Sequence, residues 1–366
     1  MGSSFGRRFV VTTFGESHGA ALGVVIDGVP PGLRLDVAAI GAELARRRPG
    51  QGPLTSPRRE ADEPELLSGL FEGRTLGTPL AMLFRNHDAD ATPYVEMKEL
   101  YRPSHADFTT EARYGVRDWR GGGRASARET VGRVAAGAVA RQVLGHAGIE
   151  VVAWVEQVGT RRAGPVDVDT LTRAEVDASP VRCPDVSVSS TMEADIIDAR
   201  RDGDTLGGVI RCVARGVPAG LGSPVFDKLE ADLAKAMLSL PAAKGFESGS
   251  GYAGAARRGS ENNDPFVPGP DGLPRTLTNH SGGIQGGISN GMPVLFSVAF
   301  KPVATVFSAQ TTVDVHNQPH TLAARGRHDP CVLPRAVPMV EAMACLVLLD
   351  HWLDRPLPLN DAPETP

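Results

Sequence analysis

The distribution of strand-like and helix-like segments along the chain constrains its fold more than any other feature. Short apolar segments, rich in β-branched residues and bounded by glycine or proline, predict strands at residues 22–26, 80–84, 151–155, 209–213 and 294–300. Apolar residues at helical spacing predict helices over residues 37–47, 126–144, 226–240 and 336–353. Strands and helices do not alternate strictly, as they would in a doubly wound sheet, so their order favours a layered α+β fold.

The chain has 366 residues, and no repeat, low-complexity block or linker divides it. We therefore predict a single domain over residues 1–355. The last segment, 356–366, has too many prolines and too little apolar content to pack, and we predict a disordered tail there. Segment 263–274 is rich enough in loop-forming residues to be a mobile insertion.

The second predicted helix carries the clearest start signal. Ser126 and Glu129 have the spacing of a capping box, in which each side chain bonds the backbone N–H of the other residue. Gly132 and Gly137 follow within the helix and would allow a neighbouring element to approach closely.

Charge and composition exclude several classes of protein. The formal charge of -5 and the pI near 6.0 argue against a nucleic-acid partner or an anionic membrane surface. The N-terminal residues lack the apolar run of roughly 7 to 15 residues of a secretory signal, and the apolar stretch 336–349 is shorter than the ~20 residues of a membrane span. The four cysteines show no spacing typical of a metal site or a disulfide framework. We expect a cytoplasmic protein with reduced thiols, no membrane anchor and no metal centre.

A local excess of positive charge lies at residues 101–133, where seven arginines face four acidic residues. The three glycines at 121–123 directly precede the predicted helix, so free backbone N–H groups and the positive end of a helix dipole would lie beside Arg124 and Arg128. This arrangement suits phosphate binding. A purely structural glycine turn is the alternative. Nucleic-acid binding is disfavoured because the segment has no series of stacking aromatic residues.

A second basic cluster follows the first predicted helix, at residues 46–48 and 58–59. Successive helical residues point in different directions, so at most one or two arginines of 46–48 can face the same ligand. Planar guanidinium groups suit a carboxylate or a phosphate. The alternative is a solvated helix end whose dipole favours cations.

Two histidines are candidate proton-transfer groups. His18 and His105 each lie among small or turn-forming residues with an acid nearby, a setting that favours an accessible imidazole. Either one alone is more often structural. A GxGxxG match at 249–254 lacks a β-branched strand before it and a helix start after it, so we reject a dinucleotide fingerprint there.

Eight ordered motifs together resemble the signatures of the chorismate synthase family. They are FGESHG (14–19), GVPPG (28–32), RRRPG (46–50), RPSHAD (102–107), RGGGRASARET (120–130), HSGGIQGGISNG (280–291), KP (301–302) and GRHDP (326–330). The resemblance extends over nearly the whole chain, to about Trp352.

The resemblance implies a β-α-β sandwich, with a helical layer between antiparallel sheets, and a homotetramer. It also implies the last common step of the shikimate pathway to aromatic amino acids. In that step, reduced FMN (FMNH2) supports 1,4-anti elimination of phosphate from 5-enolpyruvylshikimate 3-phosphate, giving chorismate. Some family members reduce their own flavin with NADPH. A binding module that kept the scaffold without turnover is the alternative hypothesis.

By motif match, His18 protonates the departing phosphate, His105 protonates or holds the reduced flavin, and Asp329 assists removal of the C6 proton. The residues implied to bind substrate anions are Arg47, Arg102, Arg128 and Arg327, and the Arg47 position is also associated with the nicotinamide cofactor. The residues implied to contact the flavin are Arg124, Ala125, Ser126, Pro241, Ala242, Gly286, Lys301, Pro302, Val303, Ala304, Thr305 and Arg327.

Three positions depart from the family pattern. Pro53 stands where a further arginine is usual, and Arg58 or Arg59 could replace that cation. Ser104 stands where glycine is usual, and Ala125 where a second serine is common. Neither of the last two changes removes a charged group, so we expect activity to survive them.

Overall fold

The structure, a computed structural model, describes residues 2–269, 272–324 and 326–355, so the tail predicted at 356–366 lies outside the described residues. The helices, numbered in chain order, are α1 (Val37–Arg47), α2 (Asp107–Tyr114), α3 (Thr130–His146), α4 (Arg173–Asp177), α5 (Val186–Arg201), α6 (Leu229–Leu238), α7 (Gly251–Ala255), α8 (Gly259–Asn262) and α9 (Leu333–Leu353). The strands are β1 (Ser4–Phe5), β2 (Val10–Gly15), β3 (Ala21–Asp27), β4 (Glu65–Ser68), β5 (Leu70–Phe71), β6 (Arg74–Thr75), β7 (Leu80–Arg85), β8 (Glu150–Val158), β9 (Arg161–Arg162), β10 (Gly208–Arg215), β11 (Ala243–Ser248), β12 (Phe266–Pro268), β13 (Pro274–Thr276), β14 (Ile284–Gln285), β15 (Ile288–Ser289), β16 (Val294–Phe300), β17 (Gln310–Val313) and β18 (Pro319–Leu322).

Two five-stranded sheets contain all five predicted strands. The first sheet has the order β1-β2-β3-β7-β4, and the second has the order β11-β16-β10-β8-β9. Every neighbouring pair in both sheets is antiparallel. In the long central strands, buried residues either alternate with less buried ones or follow one another directly. One face of each sheet is buried because it packs on helices.

A helical layer lies between the two sheets. Helix α3 packs on β2 and β3 of the first sheet, and α9 packs on β8 and β10 of the second. The two helices also pack on each other, with α1 and α6 beside them. The predicted α+β sandwich, with helices between antiparallel sheets, is therefore confirmed.

Helix α9 is the most apolar element and forms the centre of the core. Among the described residues it is the one helix long and apolar enough to cross a membrane, and 89% of its apolar window is buried inside the fold. It begins at Leu333, three residues before the predicted start, because Pro334 fits the first turn, where no intrahelical N–H bond is required.

The predicted role of the α3 glycines is confirmed by the packing. A methyl group on Gly137 would lie 2.4 Å from the Cβ atom of Ala342 on α9, and one on Gly132 would lie 3.2 Å from the Cβ atom of Val24 on β3. Glycine therefore allows α3 to approach both neighbours closely.

The predicted capping box at Ser126 does not form. Ser126 caps a 3₁₀ turn, Ala127–Glu129, and α3 begins only at Thr130. The Glu129 carboxylate accepts hydrogen bonds from Thr13 Oγ1 (2.7 Å) and Arg133 Nε (2.8 Å) instead of the Ser126 backbone. Tertiary partners thus replace the local cap.

Two other predicted segments also differ from expectation. Helix α6 begins at Leu229 rather than at Phe226, whose side chain is 92% exposed. The proposed loop at 263–274 contains strand β12 and ends at the first residue of β13, with which β12 pairs antiparallel. Residues 270–271 lie outside the described part of the chain. All four cysteines are free and buried.

Candidate active site

Most of the predicted site residues line a cavity of about 520 Å³. Its wall is built from the turn between β2 and β3, the segments around residues 102–106 and 121–128, and the α6–β11 connection. The loop before β17 and the loop after β18 complete it. The predicted residues in its lining are His18, Arg102, His105, Arg124, Ala125, Ser126, Arg128, Pro241, Ala242, Lys301, Val303, Ala304, Thr305, Arg327 and Asp329. A volume of this size suits a small-molecule ligand.

Three predicted residues lie outside the lining. Arg47 is fully buried behind the wall, and Gly286 lies in the tight turn between β14 and β15. Pro302 lies between two lining residues without reaching the cavity. A contact between any of these residues and a ligand in this cavity requires a different local arrangement.

His18 lies in the turn that follows β2. Its Nδ1 atom is 3.0 Å from Ser17 Oγ, and its ring meets the Tyr94 ring edge to face at 5.3 Å between centroids. Burial and the Arg58 guanidinium hold the pKa of His18 below its usual 6.5, with Asp118 opposing them. The imidazole therefore releases its proton readily in the ligand-free protein, and a bound anion would favour its protonated form.

Gly121 makes room for this histidine. Its φ of +71° lies in the left-handed region, and a methyl group there would lie 2.5 Å from His18 Cε1 and Nδ1. The first glycine of the predicted phosphate turn is thus required both by the backbone and by the His18 ring.

His105 is oriented by a buried carboxylate. Its Nδ1 atom is 2.9 Å from Asp107 Oδ1, and the same carboxylate accepts hydrogen bonds from Arg102 Nε (2.8 Å) and Nη2 (2.7 Å). Burial alone would raise the pKa of Asp107, but Arg102 and His105 hold it well below its usual range. Because Nδ1 is bonded to this carboxylate, Nε2 is the nitrogen through which His105 can exchange a proton.

The glycine-rich turn offers fewer free backbone donors than the sequence predicts. It continues into two 3₁₀ turns rather than directly into a helix. The N–H of Ala125 donates to the Gly122 carbonyl, and that of Arg128 donates to Ser126 Oγ. The Arg124 guanidinium is itself bonded to the carbonyls of Gly15 and Thr13. Side chains therefore contribute more of the positive charge here than the backbone does.

Asp329 is held by a residue that sequence analysis did not identify. Arg335, in the first turn of α9, donates from Nη1 to Asp329 Oδ2 at 2.5 Å and also lines the cavity. The backbone N–H of Ser56 donates to Asp329 Oδ1 at 2.8 Å. These two contacts fix the orientation of a buried carboxylate at the cavity wall. The six-residue spacing of Asp329 and Arg335 is the only sequence signal for the pair.

The opposite side of the cavity is apolar. Leu240, Pro241 and Ala242 leave α6, and Val303 and Ala304 follow β16. Lys301 lies at the edge of this surface, where burial lowers the pKa of its ammonium group. The cavity therefore combines a cationic wall with a surface against which a flat ring can pack.

The three departures from the family pattern have structural explanations. Arg58 lines the cavity and Arg59 does not, so Arg58 is the cation nearest in role to the one missing at Pro53. Ser104 adopts φ of +57°, a conformation that favours glycine. Ala125 lines the cavity without a hydroxyl group.

The rejected GxGxxG segment, 249–254, directly follows strand β11, which has no β-branched residue, as predicted. A helix start was not expected there, but α7 begins within the segment, at Gly251. However, β11 pairs antiparallel with β16 and α7 has only five residues, so the segment is not part of a βαβ unit.

A wider cleft of about 1180 Å³ adjoins the cavity and shares His105, Arg124 and Ala125 with it. The cleft contains neither His18 nor Asp329, so it lacks the His18 imidazole and the carboxylate that Arg335 holds. Within the described residues, no group of three or more His, Cys, Asp or Glu side chains could hold a metal ion.

This combination of fold and site defines an enzyme that binds a small anionic substrate and transfers protons. Two of the three imidazoles in the cavity lining, those of His18 and His105, have different electrostatic settings, and an oriented carboxylate and several arginines line the same cavity.

Comparison with known proteins identifies the particular family. A family model described as chorismate synthase matches residues 9–353. The chain is 60% identical to a chorismate synthase of Opitutus terrae over 96% of this chain and 97% of the relative. It is also 60% identical to one from Synechococcus sp. strain WH7803, over 96% and 98% respectively. A solved structure titled as a chorismate synthase crystal structure superposes with a TM-score of 0.75 at 31% identity, covering 96% of this chain and 93% of that one.

The chain belongs to the chorismate synthase family. Its reaction is the elimination of phosphate from 5-enolpyruvylshikimate 3-phosphate to give chorismate, so it is a carbon–oxygen lyase of the shikimate pathway. The family implies a requirement for reduced flavin.

Proposed function

We propose that the 520 Å³ cavity is where this chain binds reduced FMN and 5-enolpyruvylshikimate 3-phosphate together. The observation that carries the proposal is the convergence of His18, His105 and Asp329 on one cavity from three distant parts of the sequence. The substrate has a phosphate and two carboxylates, so it requires several cations around a single pocket.

The residues present fit a flavin. The apolar surface at Pro241, Ala242, Val303 and Ala304 suits the flat ring system, and Arg327 supplies a cation beside it. Arg327 is held by Asp88, which accepts a hydrogen bond from Nη1 at 2.7 Å. When bound, reduced flavin supplies electron density that eases cleavage of the C–O bond without net oxidation.

The protein side chains supply protons and orientation. His18 donates a proton to the departing phosphate, and its lowered pKa makes it a ready donor once the anionic substrate has favoured its protonated form. His105 holds or protonates the reduced cofactor through Nε2. Asp329, fixed by Arg335, assists removal of the C6 proton of the substrate.

The cationic wall binds the three anionic groups of the substrate. Arg102, Arg128 and Arg327 all line the cavity, and Arg327 is two residues before Asp329 in the sequence. Fixed guanidinium groups stabilise the charge that develops on the leaving phosphate at no cost of reorganisation during the reaction.

The cellular setting follows from the family resemblance. We propose a cytoplasmic homotetramer that acts on a small molecule and requires neither nucleic acid nor a membrane. NADPH is a candidate reductant for the flavin. NADPH oxidation by the purified protein with FMN tests that reductase activity: sustained oxidation supports it, and its absence assigns reduction to an outside source.

Histidine variants distinguish the lyase from a binding module. Under anaerobic conditions with reduced FMN, we expect H18A and H105A to lose roughly 10²–10⁴-fold in phosphate release, and H18A to retain flavin affinity. H146A, which removes an exposed histidine at the end of α3, is the matched control and should keep full activity. If the wild-type protein binds flavin and releases no phosphate, the binding-module hypothesis replaces the lyase.

A further inference from the structure

Two buried carboxylates, those of Glu60 and Asp62, lie behind the cationic wall of the cavity. Neither residue lines the cavity, and the side chains of both are 0% exposed. They are two residues apart in an irregular segment that precedes β4. Neither belongs to the motifs that identify the family in this sequence.

Asp62 joins two arginines that are far apart in sequence. Its Oδ2 atom accepts a hydrogen bond from Arg47 Nη2, and its Oδ1 atom accepts one from Arg128 Nη1. Arg47 ends α1 and is fully buried, whereas Arg128 lines the cavity. Asp62 adopts φ of +56°, which aspartate and asparagine tolerate better than most residues.

Glu60 holds the neighbouring cation in the same way. Its Oε1 atom accepts hydrogen bonds from Arg58 Nε (3.0 Å) and Nη2 (2.7 Å), and its Oε2 atom accepts one from the backbone N–H of His87 (3.0 Å). Oε2 also lies 3.8 Å from Arg128 Nη2. Arg58, like Arg128, lines the cavity.

The Arg128 guanidinium is fixed on every side by these and other contacts. Its Nε atom donates to Asn86 Oδ1 at 2.9 Å and its Nη2 atom donates to the Arg85 carbonyl at 3.3 Å. The side chain is only 3% exposed. A guanidinium held in this way loses little conformational entropy when it meets an anion.

Charge balance explains why the carboxylates are needed. Arg47, Arg58 and Arg128 would repel one another in a buried wall without counter-charges, and the two carboxylates leave the group one positive charge in excess. Burial alone would raise the pKa of Asp62, but Arg47 and Arg128 lower it. Burial would likewise raise the pKa of Glu60, but N–H donors and arginines lower it. Both groups are therefore ionised near neutral pH.

We propose that Asp62 and Glu60 are positioning residues for substrate binding, which hold Arg128 and Arg58 at the cavity wall as a preformed cradle for the anionic groups of the substrate. The inference rests on the proposed function, because it takes the substrate to occupy this cavity. In this arrangement Arg47 acts from behind the wall, through Asp62, rather than by direct contact.

The test compares isosteric amide variants. D62N and E60Q remove one negative charge each, and D350N removes a buried carboxylate that caps the backbone N–H groups of residues 7–9, far from the cavity lining. For each folded protein, calorimetry gives the Kd of 5-enolpyruvylshikimate 3-phosphate with FMN present, phosphate release gives KM and kcat, and thermal unfolding gives Tm.

We expect the substrate Kd and KM to rise about tenfold in D62N and E60Q, with a smaller change in kcat and in FMN affinity. D350N should lower Tm while leaving the substrate Kd and KM unchanged. If D62N does not fold, E60Q measures the same cradle through Arg58.

A substrate Kd in D62N and E60Q equal to that of D350N overturns the positioning role and leaves the carboxylates with a purely structural one. That result is distinct from failure of the proposed function, in which the wild-type protein itself neither binds the substrate nor releases phosphate. The latter result overturns both proposals.

Discussion

Two of the histidines that line the cavity, His18 and His105, have different electrostatic surroundings. Burial and Arg58 lower the pKa of His18, whereas His105 is bonded to the ionised Asp107 carboxylate. Groups with such separated settings can carry out distinct proton transfers at one pH. The proposed assignment of His18 to the leaving phosphate and His105 to the cofactor uses this difference.

The pH dependence of kcat/KM tests the role of His18. If protonated His18 is the acid, kcat/KM falls as the pH rises through the His18 pKa of the free enzyme, which lies below 6.5. Asp118 raises that pKa, so D118N should move this alkaline limb to lower pH. D169N, at an exposed carboxylate, should leave the profile in place. If the alkaline limb of the kcat/KM profile does not move in D118N, the limb does not arise from His18.

Gly121 offers a steric test of the same residue. In G121A the new methyl group conflicts with the His18 ring, so kcat/KM should fall by at least about tenfold. G115A is the matched control, because Gly115 has a similar φ of +73° with nothing within 4 Å of the added atom. Both variants should lose about 1–2 kcal/mol of stability from backbone strain. Equal activity in the two variants would contradict the steric argument.

Some site residues could be predicted from the sequence and others could not. His18, His105 and Asp329 stand in dense motifs, and the cavity brings them together as expected. Asp62 could not be predicted, because its partner Arg128 is 66 residues away and only the fold joins them. Arg335 was not predicted because it lies outside the recognised motifs and just before the predicted start of the helix, residue 336.

At the level of secondary structure, the contact of α3 with α9 determines how closely the central layer packs. G137A should destabilise the protein by about 1–3 kcal/mol, because its methyl group would overlap Ala342. G145A, in the same helix with nothing within 4 Å, should be neutral or stabilising by up to about 1 kcal/mol. Urea unfolding of both variants measures the difference, and similar free energies would show that the layer relaxes freely.

Periodicity predicted the existence of the main elements better than their ends. The five predicted strands all lie within observed strands, because β-branched runs bounded by glycine or proline carry a strong local signal. The start of α3 was wrong because Glu129 finds tertiary partners, Thr13 and Arg133, that a local cap signal cannot reveal. The predicted start of α9 was three residues late, because Pro334 fits the first turn of the helix and the helix begins before it.

Across the whole molecule, one buried carboxylate links three helices of the central layer to the second sheet. Glu341 on α9 accepts hydrogen bonds from Arg46 Nη1 (2.5 Å) on α1, Arg141 Nη2 (3.2 Å) on α3 and the backbone N–H of Ala153 (3.0 Å) on β8. Burial alone would raise the pKa of Glu341, but Arg46, Arg141 and a third arginine lower it to about 2.

Loss of this charge should destabilise the whole fold. E341Q removes the fully buried carboxylate of this cluster and leaves Arg46 paired with Glu43 and Asp177, and Arg141 paired with Glu43. The free energy of unfolding at neutral pH should therefore fall by about 3–5 kcal/mol. Because the folded pKa is depressed, this stabilisation is present above pH 4.5 and is lost as the pH falls toward about 2. The difference between wild type and E341Q should therefore narrow in acid. E99Q, at an exposed glutamate, should change stability by less than about 0.5 kcal/mol. If the difference in unfolding free energy between wild type and E341Q does not depend on pH, the charge-pairing account is contradicted.

The most direct test of the central claim is anaerobic release of phosphate from 5-enolpyruvylshikimate 3-phosphate by the purified protein, measured with reduced and with oxidised FMN. The proposed site predicts repeated turnover with reduced FMN, equal amounts of phosphate and chorismate, and no turnover with oxidised FMN. Release that is the same with either form of FMN, or no release with reduced FMN, would contradict it.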